Sequence, residues 1–164
     1  MNKNFRISTA APAHVAIIFD LVKQLAAYEK LEDMVIGNEA MLHQALFGER
    51  PACECIIAWE SEHPVGFALY FTTFSTFLAK PGLYLEDLFV IPAARAHGYG
   101  KALLRHLAAL AQTRGCGRFE WRVLDWNEPS IKFYESLGAS VMKEWLLVRM
   151  TEDGIRQLAG ARER

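Results

Sequence analysis

The chain has 164 residues, 52% of them hydrophobic and 23% charged, which suits one ordinary globular domain (1–164) with a full core. Eighteen basic and nineteen acidic residues leave a net charge of −1, so no overall field draws in nucleic acid or an anionic membrane. The opening MNKNFRISTA lacks the apolar stretch of a secretion signal, and the longest apolar runs, such as GFALYF, are strand-sized, so no membrane span is expected.

The first predicted element is a short strand, NFRIST. Over residues 11–30 the apolar positions Ile18, Leu21, Val22, Leu25 and Tyr28 recur at helical spacing, with Pro12 near the start where proline is tolerated. A second short helix fits residues 38–47, closed by Gly48. CECIIAWE and VGFALYFTTF read as paired strands joined by the turn-like SEHP. GLYLEDLFVI is nearly continuous in apolar character and predicts a central strand buried on both faces. Residues 98–114 predict the clearest helix, striped by Leu103, Leu104, Leu107, Leu110 and Ala111 and stopped by Gly115 and Gly117. RFEWRVLDW follows as a strand, EPSIKFYESLG as a short helix, EWLLVRM as a closing strand and TEDGIRQLAGARER as a weak last helix. Strands in series followed by strand–helix–strand predict a mixed α/β sheet.

Cys53 and Cys55 are two apart in a strand-like run and so share a face; Cys116 makes the count odd. The spacing matches no paired-cysteine zinc site, and the three are expected to be reduced, apolar core residues of a cytoplasmic protein, with no metal.

Three stretches carry chemistry. RAHGYGKA (95–102) is neither a P-loop, which needs glycine at 95 and Ser/Thr at 102, nor a dinucleotide fingerprint, which needs glycine at 103. Gly98 and Gly100 let the backbone fold tightly, and the N–H groups of the following helix can face a phosphate between Arg95 and Lys101. A plain glycine-rich turn with solvated charges fits the same residues. In LYLEDLFV (83–90) Glu86 and Asp87 are adjacent in an apolar strand; neighbours point to opposite faces, so at least one must enter a packed layer. The two are either partnered or edge-facing acids, or one is held in a cleft with its pKa raised or used to bind a cation. In DWNEPSIKFYESLGA (125–139) Asn127 can cap a helix, and Ser130 and Tyr134, four apart, share its face. Tyr134 is either a core aromatic or a proton donor.

Together these stretches resemble a known family. Arg95-Ala96-His97-Gly98-Tyr99-Gly100 matches the R/Q-x-x-G-x-G/A motif of the GNAT N-acetyltransferases, placed between a central strand and a long helix. NEPSIKFYESLGA looks like the family's second signature. LAAYEKLED, LYLEDLFV and WNEPSIKFYESLGA are similar to segments of the spermidine/spermine and thialysine acetyltransferase subgroup.

The resemblance implies a GNAT fold: a mixed, mostly antiparallel twisted sheet with splayed central strands and flanking helices. It implies acetyl-CoA as cosubstrate, its pantetheine arm paired with backbone at Leu88, Phe89 and Val90. The pyrophosphate would rest on the loop of Arg95, Ala96, His97, Gly98, Tyr99, Gly100 and Lys101, with Asn127 and Ser130 on the cofactor's other side. Glu86 would take the amine's proton directly or through water, a backbone N–H near Val90 would stabilise the oxyanion, and Tyr134 would protonate the departing thiolate. Tyr28 and Glu29, with Glu86 and Asp87, would form an acidic groove for a small diamine or polyamine, to which Glu32 and Asp33 could add charge. EWR (Glu120–Arg122) departs from the pattern of the subgroup's eukaryotic enzymes, and a positive Arg122 near the groove disfavours a long polycation, so a lysine analogue such as thialysine, a protein amine, or a sensor that binds acetyl-CoA without catalysis are alternatives. Members of the family are usually homodimers, and EWLLVRM and YFTTFSTFL are the segments expected to cover an interface.

Overall fold

The computed structural model describes residues 4–160, and the chain divides into two compact units, one ending at Arg122 and one beginning at Val123. The first unit contains β1 (Phe5–Thr9), α1 (Val15–Glu29), α2 (Glu39–Phe47), β2 (Glu54–Glu60), β3 (His63–Ser75), β4 (Lys80–Val90), α3 (Tyr99–Thr113) and β5 (Arg118–Trp121). The strands form one sheet in chain order, antiparallel from β1 to β4, with β5 added parallel to β4. This is the mixed, mostly antiparallel sheet expected from the sequence.

Local chemistry places the elements. Pro12 opens a 3-10 turn that leads into α1, which buries Val15, Ile18, Leu21 and Leu25 along one stripe. It stops at Lys30, whose φ of 60° ends the helical path. Asn38 caps α2, its Oδ1 accepting the Met41 N–H at 3.0 Å. Along β2 and β3 the side chains alternate between two layers. Cys55, Ile57, Trp59, Phe67 and Leu69 pack with Phe89 of β4 against Ile18, Leu21 and Leu25 of α1 and Leu46 of α2. Ile56, Ala58, Ala68 and Tyr70 alternate with these, and α3, which packs on the sheet, buries Tyr99, Leu103, Leu104, Leu107 and Ala111. Cys55 is therefore core, as expected, and Cys53 packs beside it; all three cysteines are free.

The second unit holds α4 (Glu128–Ser136) and α5 (Glu152–Gly160). The expected closing strand EWLLVRM is not one. Trp145, Leu146 and Val148 are exposed by 72%, 86% and 92%, and among the described residues no strand lies alongside to complete a ladder. An apolar run is extended into a strand only where a partner bonds it. The weak last helix is present as α5; residues 161–164 of that expectation lie outside the described residues. Among the described residues no helix is long and apolar enough to cross a membrane.

Candidate active site

The candidate site begins where β4 and β5 part. The parallel ladder joins residues 82–85 of β4 to residues 118–121 of β5 and ends there. The strand expected over RFEWRVLDW is thus only its first part, because past Trp121 the chain leaves β4 and loses its bonding partner. On the other edge β4 stays bonded to β3 as far as Val90. The Ile91 N–H donates to Val65 O at 3.0 Å, on the β3 side. By the period-2 alternation of a strand, the backbone groups of Leu88 and Val90 point the other way, into the gap.

A β-bulge sits at the parting. Leu69 pairs with Asp87 and Tyr70 with Leu85, so Glu86 is an extra residue in β4. The plain alternation expected of Glu86 and Asp87 is thereby corrected. The bulge restarts the count, and both acids turn toward the α1 side. Their neighbours agree: the charge of Glu86 acts on Cys53 and that of Asp87 on Cys55, two cysteines that share a face. Glu86 is exposed and Asp87 half-buried. Burial lifts the Asp87 carboxyl from the ordinary 3.8 to about 6, and the negative charges of Glu86 and Glu29 add to the lift. Burial also raises Glu29, at the end of α1. The structure thus brings Glu29, Glu86 and Asp87 into one electrostatic group. Glu32 and Asp33 stand exposed on the short 3-10 turn that follows. The sequence left open whether one of the pair is held in a cleft with its pKa raised; burial in three dimensions raises Asp87 in that way.

The loop after β4 forms the second part. Ala96 and Gly98 take positive φ of 66° and 82°, and Gly98 is the N-cap of α3 with no side chain capping the helix. The first-turn N–H groups of a 15-residue helix are left to an outside acceptor. A Cβ placed on Gly100 would meet nothing nearer than Leu88 Cδ2 at 3.9 Å, so the fold itself does not require glycine there; the space in front of the helix is open. Lys101 is exposed beside it. The Tyr99 side chain is core, stacked on Phe5 at 4.4 Å, and so offers its backbone rather than its ring. His97 stacks on Tyr99 at 5.6 Å, with Nδ1 3.3 Å from Ala94 O. The Arg95 Nε–H donates to Val90 O at 3.1 Å, and the guanidinium lies 4.3 Å from the Tyr28 ring centre and 5.8 Å from that of Phe89. Arg95 therefore ties the phosphate-type loop to the end of α1 and leaves the Val90 N–H unused by that bond.

On the β5 side, Tyr84 sits among three charged residues. Burial raises its hydroxyl pKa, Arg122 opposes the rise, and Glu86 and Glu120 add to it. The Arg122 guanidinium lies 5.6 Å from the Tyr84 ring centre and acts on the buried Tyr84 hydroxyl by charge and by hydrogen bonding, both lowering its pKa. Arg118 is paired with Glu120 at 2.7 Å. Of these residues the sequence pointed to Arg122 and passed over Tyr84, which alternation alone made an ordinary strand aromatic.

Asn127, Ser130 and Tyr134 lie in the second unit. Asn127 is buried and caps α4, its Oδ1 accepting the Ser130 N–H at 3.4 Å. Tyr134 is on α4, its ring 5.5 Å from that of Phe133. Among the described residues no cluster of three or more His, Cys, Asp or Glu could hold a metal ion.

An open strand edge, an acid pair and an uncapped helix N-terminus lie in one strand–turn–helix, the arrangement that the GNAT resemblance implies. Comparisons agree. The acetyltransferase (GNAT) family model matches residues 23–139. The chain is 32% identical to the L-ornithine N5-acetyltransferase of Arabidopsis thaliana, over 93% of this chain and 87% of that one. It is 34% identical to the thialysine N-epsilon-acetyltransferase of Mus musculus, over 94% and 97%. An integron cassette protein from the mobile metagenome of V. cholerae superposes with a TM-score of 0.81 at 29% identity, covering 98% of this chain and all of that one (100%). The chain belongs to the GNAT acetyltransferase family.

Proposed function

We propose that the protein transfers an acetyl group from acetyl-CoA to the primary amine of a small molecule, by direct attack and without a covalent enzyme intermediate. The observation that carries this reading is the acid pair Glu86–Asp87 at the bulge where β4 opens, one turn of chain before the uncapped N-terminus of α3. Residues fit the cosubstrate: the open backbone of Leu88, Phe89 and Val90 suits an amide-bearing arm. The loop from Arg95 through Ala96, His97, Gly98, Tyr99 and Gly100 to Lys101 suits a pyrophosphate, and the motif resemblance adds Asn127 and Ser130 as cofactor-binding residues. Bound acetyl-CoA supplies the activated thioester.

The chain's own groups do the rest. An aliphatic amine is mostly protonated at neutral pH and must lose that proton before its nitrogen can attack. Glu86, exposed at the bulge, holds the ammonium and takes the proton, directly or through water. Asp87 and Glu29 deepen the negative potential, with Tyr28 as the neighbouring wall. The Val90 N–H, which strand alternation turns toward the gap, donates to the developing negative charge. As the new C–N bond forms and the C–S bond breaks, Tyr134 Oη gives its proton to the departing sulfur; the second proton shed by the nitrogen restores the Tyr134 phenol through water, and the proton on Glu86 passes to solvent. Relatives named for thialysine and for ornithine favour the terminal amine of an amino acid beside the diamine and polyamine expected from the sequence.

Coenzyme A release with a panel of putrescine, spermidine, ornithine, lysine and thialysine tests the reading. Turnover with at least one, and an acetylated product by mass, is expected. Binding of acetyl-CoA with no turnover on any amine would make the protein a sensor.

A further inference from the structure

The end of β5 carries a cation that the proposed transfer does not use. The last paired rung is Leu85 with Trp121, and the next residue along each strand is Glu86 on β4 and Arg122 after β5. The first residues past the ladder therefore carry opposite charges. Among the described residues Arg114 is paired with Glu54 and Arg118 with Glu120, whereas Arg122 makes no salt bridge. Its guanidinium is held over the Tyr84 ring at 5.6 Å and leans on the buried Tyr84 hydroxyl. A guanidinium has five N–H donors, so contact with one tyrosine leaves donors over to bind a carboxylate.

We propose that Arg122 determines substrate specificity by binding the carboxylate of a short aliphatic amino acid whose terminal amine is held at Glu86. This rests on the acetyl-transfer reading and deepens it. A molecule with a cation at one end and a carboxylate at the other matches both sides of the gap. The corresponding diamine matches Glu86 and brings its second ammonium toward Arg122, a like charge. A chain of five or six bonds of about 1.5 Å each, from terminal amine to carboxylate, is long enough to link two side chains that reach across parted neighbouring strands.

The test compares each amino acid with its decarboxylated counterpart: ornithine with putrescine, lysine with cadaverine. The natural enzyme is expected to have the higher kcat/KM for the amino acid of each pair. Arg122→Leu should lower that value about 10- to 100-fold, mostly through KM, and raise the diamine's a few-fold, inverting the preference. Arg122→Lys should fall between, since a point charge replaces the fork. Arg122 is exposed, and diamine turnover reports that the variant is folded. Equal losses on both members of a pair, or a natural preference for diamines, would overturn the proposal. Calorimetry of ornithine and putrescine with the coenzyme A-bound protein separates the two readings. Binding that ignores Arg122 sinks the specificity role alone, and selective binding without turnover sinks the acetyl transfer alone.

Discussion

In the first half of β4, residues 82–85 are bonded on both edges, and Leu83 and Leu85 are exposed by only 0% and 2%. In the second half, residues 86–90 keep one bonded edge, begin with a bulge and carry two adjacent acids. A single strand thus passes from core to site within one rung. The closed half fixes where the open half starts, and the open half holds groups that a packed sheet would reject. Unpaired backbone and buried charge are costly in a core. Here they leave binding capacity in place.

Three substitutions probe that contrast. Leu83→Ala, in the closed half, should cost about 3 kcal/mol of stability by leaving a cavity, while the fraction that stays folded keeps its kcat/KM. Denaturant unfolding and assays well below the melting temperature would show both; a specific loss of activity would mean the halves are not separable. Asp87→Asn, in the open half, should do the reverse. The folded Asp87 holds its proton up to about pH 6, against 3.8 ordinarily, so the folded chain loses stability as pH rises through that window. Replacing the acid should stabilise by about 2 kcal/mol at pH 8, with the gain vanishing near pH 4. Melting curves across pH check the sign. The smallest effect on the fold is expected for Gly100→Ala. Alanine suits a helix better than glycine and meets open space, so the melting temperature should hold or rise slightly. Acetyl-CoA affinity should weaken about tenfold by calorimetry, since the methyl takes up the space proposed for the cosubstrate.

Most elements of the first unit were legible because their cues are local. The stripe of α1, the short helix closed by Gly48, the β2–β3 hairpin and the glycine-rich entry to α3 need only neighbours in sequence. What stayed hidden depends on partners distant in sequence. The bulge at Glu86 exists only in register with Leu69 and Tyr70, and it reversed the expected facing of the acid pair. β5 ends at Trp121 because β4 turns away, although the residues that follow suit a strand. EWLLVRM has strand composition and, among the described residues, no strand to join. The site's membership came from motif resemblance. The near-neutral titration of Asp87 and the Arg95 bond to Val90 O required the fold.

The central claim is that the acid pair at the bulge removes the amine's proton, and the pH dependence of kcat/KM for Glu86→Gln tests it most directly. If Glu86 takes the proton, the variant depends on amine already deprotonated in solution. The rate should then fall about 100-fold or more at neutral pH and the profile should move to higher pH. If Glu86 acts only by raising Asp87, its removal lets Asp87 ionise earlier, and the acid limb should move to lower pH. An upward shift is the predicted result; an unchanged profile or a downward shift would contradict the account.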